Sequence, residues 1–176
     1  MKNIRLCAIL LGLVLCLSGC APCAEDETGM VELARAQLPL SQAETLPVES
    51  VGRIDREDRS LLLIRTGGEQ QRQSYFPVSY QRRGDGYRLE HLARAGMYER
   101  GEGLYSYNWQ EGYVFLVDNE DCAQLWLKDE LGNERTVPVD GLPFVYYVED
   151  VFQDLDGDGR SKLEYAFLNQ KGEELL

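Results

Sequence analysis

The chain has 176 residues, with 30 acidic against 18 basic side chains and a formal charge of −12. That balance excludes a nucleic-acid binder of the usual basic kind and argues against polybasic attraction to anionic lipid. Cationic partners and metal ions stay open, although a solvated acidic surface accounts for the charge more simply.

At the N-terminus, Lys2 and Arg5 precede an almost wholly apolar run from Leu6 to Leu17. This is the layout of an export signal, and the run is shorter than the roughly twenty residues that span a bilayer. It ends in Leu17-Ser18-Gly19-Cys20, which resembles the bacterial lipobox: an aliphatic residue and two small residues that fit a narrow protease cleft, then a cysteine whose thiol accepts diacylglycerol. The resemblance implies a signal peptide over residues 1–19, cleavage before Cys20, and a lipoprotein held by its lipid on the extracytoplasmic side of the cell envelope. Two or three acyl chains, palmitate among them, at ~0.8 kcal/mol per buried methylene, give stable attachment. None of the acidic residues lies in the signal, so the mature part is more acidic than the whole chain.

Residues 20–29 are short, polar and acidic, and read as a tether. Residues 30–176 form one domain, with a sub-boundary at the glycine-bearing joint 93–103. A helix is expected from about Thr28 to Leu38, where Met30, Val31, Ala34 and Leu38 share a side and Pro39 stops it. Strands are expected at Val48–Ile54, Ser60–Arg65, Gln73–Tyr80 and Tyr87–Leu92, with turn residues Arg56-Glu57-Asp58, Gly67-Gly68 and Gly84-Asp85-Gly86 between them. The joint 93–103 has room for a short helical turn. A second series follows at Leu104–Trp109, Tyr113–Val117, Ala123–Leu127, Arg135–Val139, Phe144–Val148 and Leu163–Leu168. Tyr113–Val117 is continuously apolar, as a strand covered on both faces would be. The expected class is α+β: one N-terminal helix followed by mostly antiparallel sheet, a meander. The order is similar to cystatin-like and nuclear-transport-factor-like folds by pattern analogy alone. Whether the two series share one sheet stays open.

Several residue groups invite a chemical reading. Cys7 and Cys16 leave with the signal, so Cys23 and Cys122 are the cysteines that remain beside Cys20. They match no zinc spacing; they either pair in an oxidising compartment or leave Cys122 as a buried free thiol, the simpler case. His91 is the sole histidine, which excludes a multi-histidine metal centre and favours a structural or solvent-facing imidazole. Arg83-Gly84-Asp85 matches the tripeptide that integrins read, but glycine and aspartate between two strands are what a hairpin tip selects. Tyr105, Tyr107 and Trp109 are spaced by two and face one way in a strand. The polar Ser106 and Asn108 between them make the aromatic side the core side, with glycan stacking the lesser reading.

The strongest motif after the lipobox is Asp154-Leu155-Asp156-Gly157-Asp158-Gly159. Alternating carboxylates followed by glycine let a chain coil around a hard cation. It resembles the calcium loops of EF-hands and dockerins, and those of integrin-type propellers. The resemblance implies a calcium site with Asp154, Asp156 and Asp158 as ligands, the Arg160 carbonyl as a fourth and Glu164 as a further carboxylate. Two departures matter. Tyr165 stands where an EF-hand would place glutamate, with Glu164 one residue early, and Lys162 stands where the propeller loop would place an acid.

No nucleophile elbow is present, and nothing in the linear sequence places two carboxylates at catalytic separation, so no catalytic residue is assigned. The function expected is a non-catalytic binding or accessory module of the envelope, calcium-stabilised, whose partners are the membrane through its lipid and an envelope protein or glycan. The alternative is a small envelope hydrolase using paired carboxylates. Acids converging in a cleft would favour the enzyme; a dry sheet face would favour the module.

Overall fold

The computed structural model describes residues 22–38, 47–67, 73–93, 96–149 and 163–176. They form antiparallel sheet with one short helix, α1 (Glu27–Arg35). Three sheets are present. The first joins β1 (Cys23–Ala24), β2 (Val48–Arg56), β3 (Arg59–Thr66), β4 (Ser74–Arg83) and β5 (Gly86–Leu92) in the order β1-β5-β4-β3-β2. The second joins β6 (Tyr98–Gly101), β7 (Leu104–Trp109), β8 (Gly112–Val117) and β11 (Phe144–Val148) in the order β11-β8-β7-β6. The third joins β9 (Gln124–Lys128), β10 (Glu134–Pro138) and β12 (Glu164–Leu168) in the order β10-β9-β12.

Side-chain alternation stacks these elements in layers. Along β3, Leu62 and Ile64 point with Val78 and Tyr80 toward Met30 and Ala34 of α1. Their neighbours Leu61 and Leu63 point the other way, with Tyr75, onto Trp109, Val114 and Leu116 of the second sheet. The second sheet repeats the device: Leu104, Phe115 and Val117 pack against Leu125, Leu127 and Phe167 of the third. A strand covered on both faces cannot alternate apolar with polar, which is why Leu61–Ile64 and Val114–Val117 are unbroken apolar runs.

The helix starts where Asp26 accepts a hydrogen bond from the Gly29 amide at 2.8 Å, satisfying one of the unpaired donors of the first turn. Tyr80 crosses from the sheet and donates to the Met30 carbonyl at 2.6 Å in a buried setting. The first two sheets approach most closely where β2 meets β11. A Cβ on Gly52 would sit 2.6 Å from Val145 Cγ2, so only glycine fits there without displacement.

Three features differ from the sequence reading. The joint 93–103 contains strand β6 rather than a helical turn, because its residues pair with β7 from Tyr98↔Ser106 onward. The segment read as tether contains a strand, since Cys23 and Ala24 pair with Arg88 and Tyr87. Ser106, on the side opposite the aromatic row, is buried rather than solvated, because the third sheet covers that face and Tyr165 Oη lies 3.1 Å from Ser106 Oγ.

Candidate functional site

Where the first and second sheets part at one end, a cleft of about 740 Å³ opens. Gln73 lines it from just before β4, Tyr75 from β4, Glu99 and Arg100 from β6, Tyr105 from β7, and Asp118 from the exit of β8. The β6–β7 turn forms its rim. Gly103 holds that turn with φ +71°, and its carbonyl accepts from the Asp118 amide at 2.7 Å. A side chain on Gly103 would meet the Asp118 backbone, so the tight turn and the position of Asp118 depend on one glycine. Asn119 adds a second clip, its side-chain amide donating to the Glu102 carbonyl at 2.6 Å.

Inside the cleft the polar groups are already organised. Tyr75 donates its hydroxyl to Asp118 Oδ2, and Arg65 Nη1 lies 3.9 Å from the same oxygen. Arg65 is fixed by two contacts to Glu49 Oε1, 2.8 Å from Nε and 2.5 Å from Nη2. This hydrogen bonding to Glu49 raises the Arg65 pKa above its ordinary value, so it stays a cation. Burial, then the adjoining Asp118 carboxylate, push the Tyr75 phenol well above its usual pKa of 10. A phenol held in that state donates hydrogen bonds near neutrality but cannot act as a base. The Tyr75 and Tyr105 rings lie 4.8 Å apart between centroids and form an aromatic floor. Tyr105 Oη is 3.5 Å from Glu99 Oε1 at the cleft's other side.

Of the residues singled out by sequence, Tyr105 lines the cleft. Cys20, Asp154, Asp156, Asp158 and Arg160 lie outside the described residues. Glu164, expected as a calcium ligand, opens β12 as an exposed residue and faces Lys128 Nζ at 3.7 Å; Glu134 flanks the same ammonium at 3.9 Å. Among the described residues no group of three or more acidic, cysteine or histidine side chains is spaced to hold a metal. Cys23 is exposed on the first sheet, and Cys122 is buried in the core between the second and third sheets, its thiol 3.6 Å from the Gln124 carbonyl; the two do not pair. Burial raises the Cys122 pKa, so it is an inert thiol. His91 is exposed on β5 opposite Ser79, away from the cleft, and lines a separate shallow hollow with Gln37 and Leu89. Arg83-Gly84-Asp85 forms the β4–β5 hairpin tip, with Gly84 at φ +60°.

Tyr105, Tyr107 and Trp109 share the face turned to the first sheet, and Trp109 is 5 % exposed with its indole nitrogen 3.1 Å from Ser79 Oγ. Sequence reasoning missed the cleft because Tyr75, Glu99 and Asp118 of its lining, and the Arg65–Glu49 pair that adjoins Asp118, come from five separate segments and form no linear motif. The visible trace was a buried-strand tyrosine, Tyr75, beside the polar Ser74 and Gln73. No known family model matches this chain, nor does any curated protein or solved structure, so any function must be argued from the residues themselves.

Proposed function

We propose that the chain is an envelope lipoprotein, acylated at Cys20, whose layered domain is a non-catalytic binding module presenting the cleft between its first two sheets. The observation that carries this reading is the state of Asp118. Its carboxylate already accepts from Tyr75 and faces Arg65, an arrangement that holds it as part of a fixed binding surface. Two tyrosines at the base of a cleft edged by charged groups suit a small polar ligand, such as a glycan, held by hydrogen bonds. We read the domain as α+β, with α1 closing the core on the free face of the first sheet: Met30 and Ala34 are both fully buried there. In the first layer α1 followed by β2–β5 supports the analogy to cystatin-like and nuclear-transport-factor-like folds, with β1 added before the helix. The calcium loop, with Asp154, Asp156 and Asp158 as ligands, the Arg160 carbonyl and Glu164, belongs to the same proposal as a stabilising element.

The hydrolase reading has one observation in its favour: Glu99, Glu102 and Asp118 all line the cleft. One set of variants separates the two. Purified peptidoglycan and other envelope glycans are tested for co-sedimentation and for cleavage with wild type, Tyr75→Phe, Glu99→Gln and Asp118→Asn. A binding module shows wild-type binding without product release and weakened binding in the variants. Product that disappears in Glu99→Gln or Asp118→Asn would make the protein an enzyme.

A further inference from the structure

The acidic balance of the whole chain hides a local reversal. The tip of the β4–β5 hairpin, residues 81–88, carries Arg82, Arg83 and Arg88 against the single acid Asp85, with Glu90 further along β5. Cys23, the first strand residue after the lipobox, pairs directly with Arg88. Continuing across the sheet, Arg88 pairs with Gln81, Gln81 with Arg59, and Arg59 with Arg56. Directly paired residues project to the same face, so Arg88, Arg59 and Arg56 form a row that begins beside Cys23, and Arg83 lies two residues along β4 on that face. It is the face opposite α1, since Tyr87 and Leu89, the neighbours of Arg88, pack with the helix; the second sheet covers the middle of that face and Arg56 lies over Tyr147, while Arg83 and Arg88 stay exposed at the hairpin end.

The acids around the row divide by position. Glu149 and Glu90 are taken up by Arg56 and Arg59, the latter at 3.6 Å. Glu57 and Asp58 belong to the β2–β3 turn, and Glu25, Asp26 and Glu27 lead into α1 on the other face. Arg83 and Arg88 are exposed and, among the described residues, form no ion pair. Cys20 lies three residues before Cys23, which at full extension is a reach of about 11 Å. A lipid at Cys20 therefore keeps the strand that pairs with Arg88 within one such reach of the headgroups, with Arg83 one strand further on.

We infer that the exposed end of this hairpin, bearing Arg83 and Arg88, rests on the phosphate groups of anionic lipid in the membrane that carries the lipid anchor and so sets the domain's orientation there. The inference rests on acylation of Cys20. Its physical basis is that a guanidinium presents a planar fork of donors matched to phosphate oxygens, while the remainder of an acidic domain is repelled by the same surface. Such opposition favours one orientation over others, even where net attraction is nil.

The test uses the acylated protein in vesicles of phosphatidylcholine, with or without a phosphatidylglycerol fraction, and phenylglyoxal as an arginine footprint read by mass spectrometry. Arg83 and Arg88 are expected to react roughly fivefold more slowly in the anionic vesicles at low salt. The difference should vanish near 1 M salt, where screening shortens to about 3 Å. Arg135, exposed on the third sheet, should react alike in both. Vesicle-bound protein whose Arg83 and Arg88 react equally in the two lipids would overturn the inference and leave the anchor reading intact. Protein that floats with neither vesicle would remove the anchor itself.

Discussion

Tyr75 on β4 donates its hydroxyl to Asp118 beyond the end of β8, joining the first and second sheets at the mouth of the cleft. The bond connects a residue in the first series of strands to one in the second, and Arg65 supports it from β3 at 3.9 Å. Tyr75→Phe leaves Asp118 with Arg65 as its remaining partner and keeps the ring contact with Tyr105. Hydrogen bonds to charged groups contribute about 1.5–3 kcal/mol, and partial exposure of Asp118 puts the expected loss at the lower end. Thermal or urea unfolding of the variant measures it; an unchanged midpoint would show the bond to be idle.

The same tyrosine sets an alkaline limit. Burial raises the phenol pKa of Tyr75, and burial alone does so for Tyr80 and Tyr107. A raised folded-state pKa means that the native protein holds protons the unfolded chain releases. The stabilisation is complete below the unfolded phenol value of about 10 and is lost as pH rises above it. Stability from pH 7 to 9 should be flat as far as these groups are concerned, then fall. Tyr75→Phe or Tyr80→Phe should fall less steeply than wild type over pH 10 to 11. A fall of equal slope in wild type and both variants would reject the assignment.

Trp109→Ala should cost about 3–5 kcal/mol, the range for truncating a large core aromatic. The side chain is 5 % exposed, lies 5.6 Å from the Tyr147 ring centroid and donates to Ser79. Chemical denaturation gives the loss. A variant that unfolds like wild type but no longer sediments with envelope glycans would move Trp109 from core to binding surface.

The sequence foretold strands better than it foretold layers. Leu104–Trp109 and Phe144–Val148 carry the same bounds in structure as in sequence, because each has an apolar pattern and clear turn residues at both ends. Tyr98–Gly101 has neither: its exposed Tyr98, Glu99 and Arg100 look like a loop, and pairing with β7 alone makes them a strand. Ser106 shows why layer assignment failed. A polar residue between aromatics signals a solvated face, yet a third sheet brings the Tyr165 hydroxyl to 3.1 Å and satisfies it in the interior. The cleft depends on such distant pairings, Tyr75 with Asp118 and Arg65 with Glu49, and local periodicity carries no trace of them.

Cys20 is expected to be the acylated N-terminus of the mature protein. Mass spectrometry of membrane-extracted protein should find a diacylglyceryl thioether there, and Cys20→Ala should abolish both lipid labelling and cleavage by this route. The structure adds a constraint: β1 begins at Cys23, so little chain separates the lipid from the first sheet. Inserting a Gly/Ser spacer between Cys20 and Cys23 should leave acylation intact while loosening the domain from the surface. Recovery of wild type in soluble, unmodified form would defeat the expectation.

The aspartate loop is expected to bind calcium weakly, with a dissociation constant of roughly 10⁻⁴ to 10⁻³ M, the range of extracellular modules. Asp154, Asp156 and Asp158 repel one another unless a cation or solvent screens them, and the Arg160 carbonyl would complete the inner turn. Glu164 is the costly ligand. Its carboxylate lies 3.7 Å from Lys128 Nζ, so a calcium ion must take it from an ion pair that Glu134 already shares. The pair is exposed, and exposed pairs contribute at most about 1 kcal/mol, so the competition weakens binding without preventing it. Calcium at tenfold its dissociation constant should add ~1.4 kcal/mol to stability. Thermal melts in millimolar calcium and in chelator measure that gain, and Asp156→Ala should erase it. Lys128→Gln frees Glu164 and should tighten binding a few-fold if Glu164 is a ligand, or leave it unchanged if it is not. Melts that ignore calcium in wild type and in Lys128→Gln, with no heat in calorimetry, would show Asp-Gly-Asp-Gly to be turn chemistry alone.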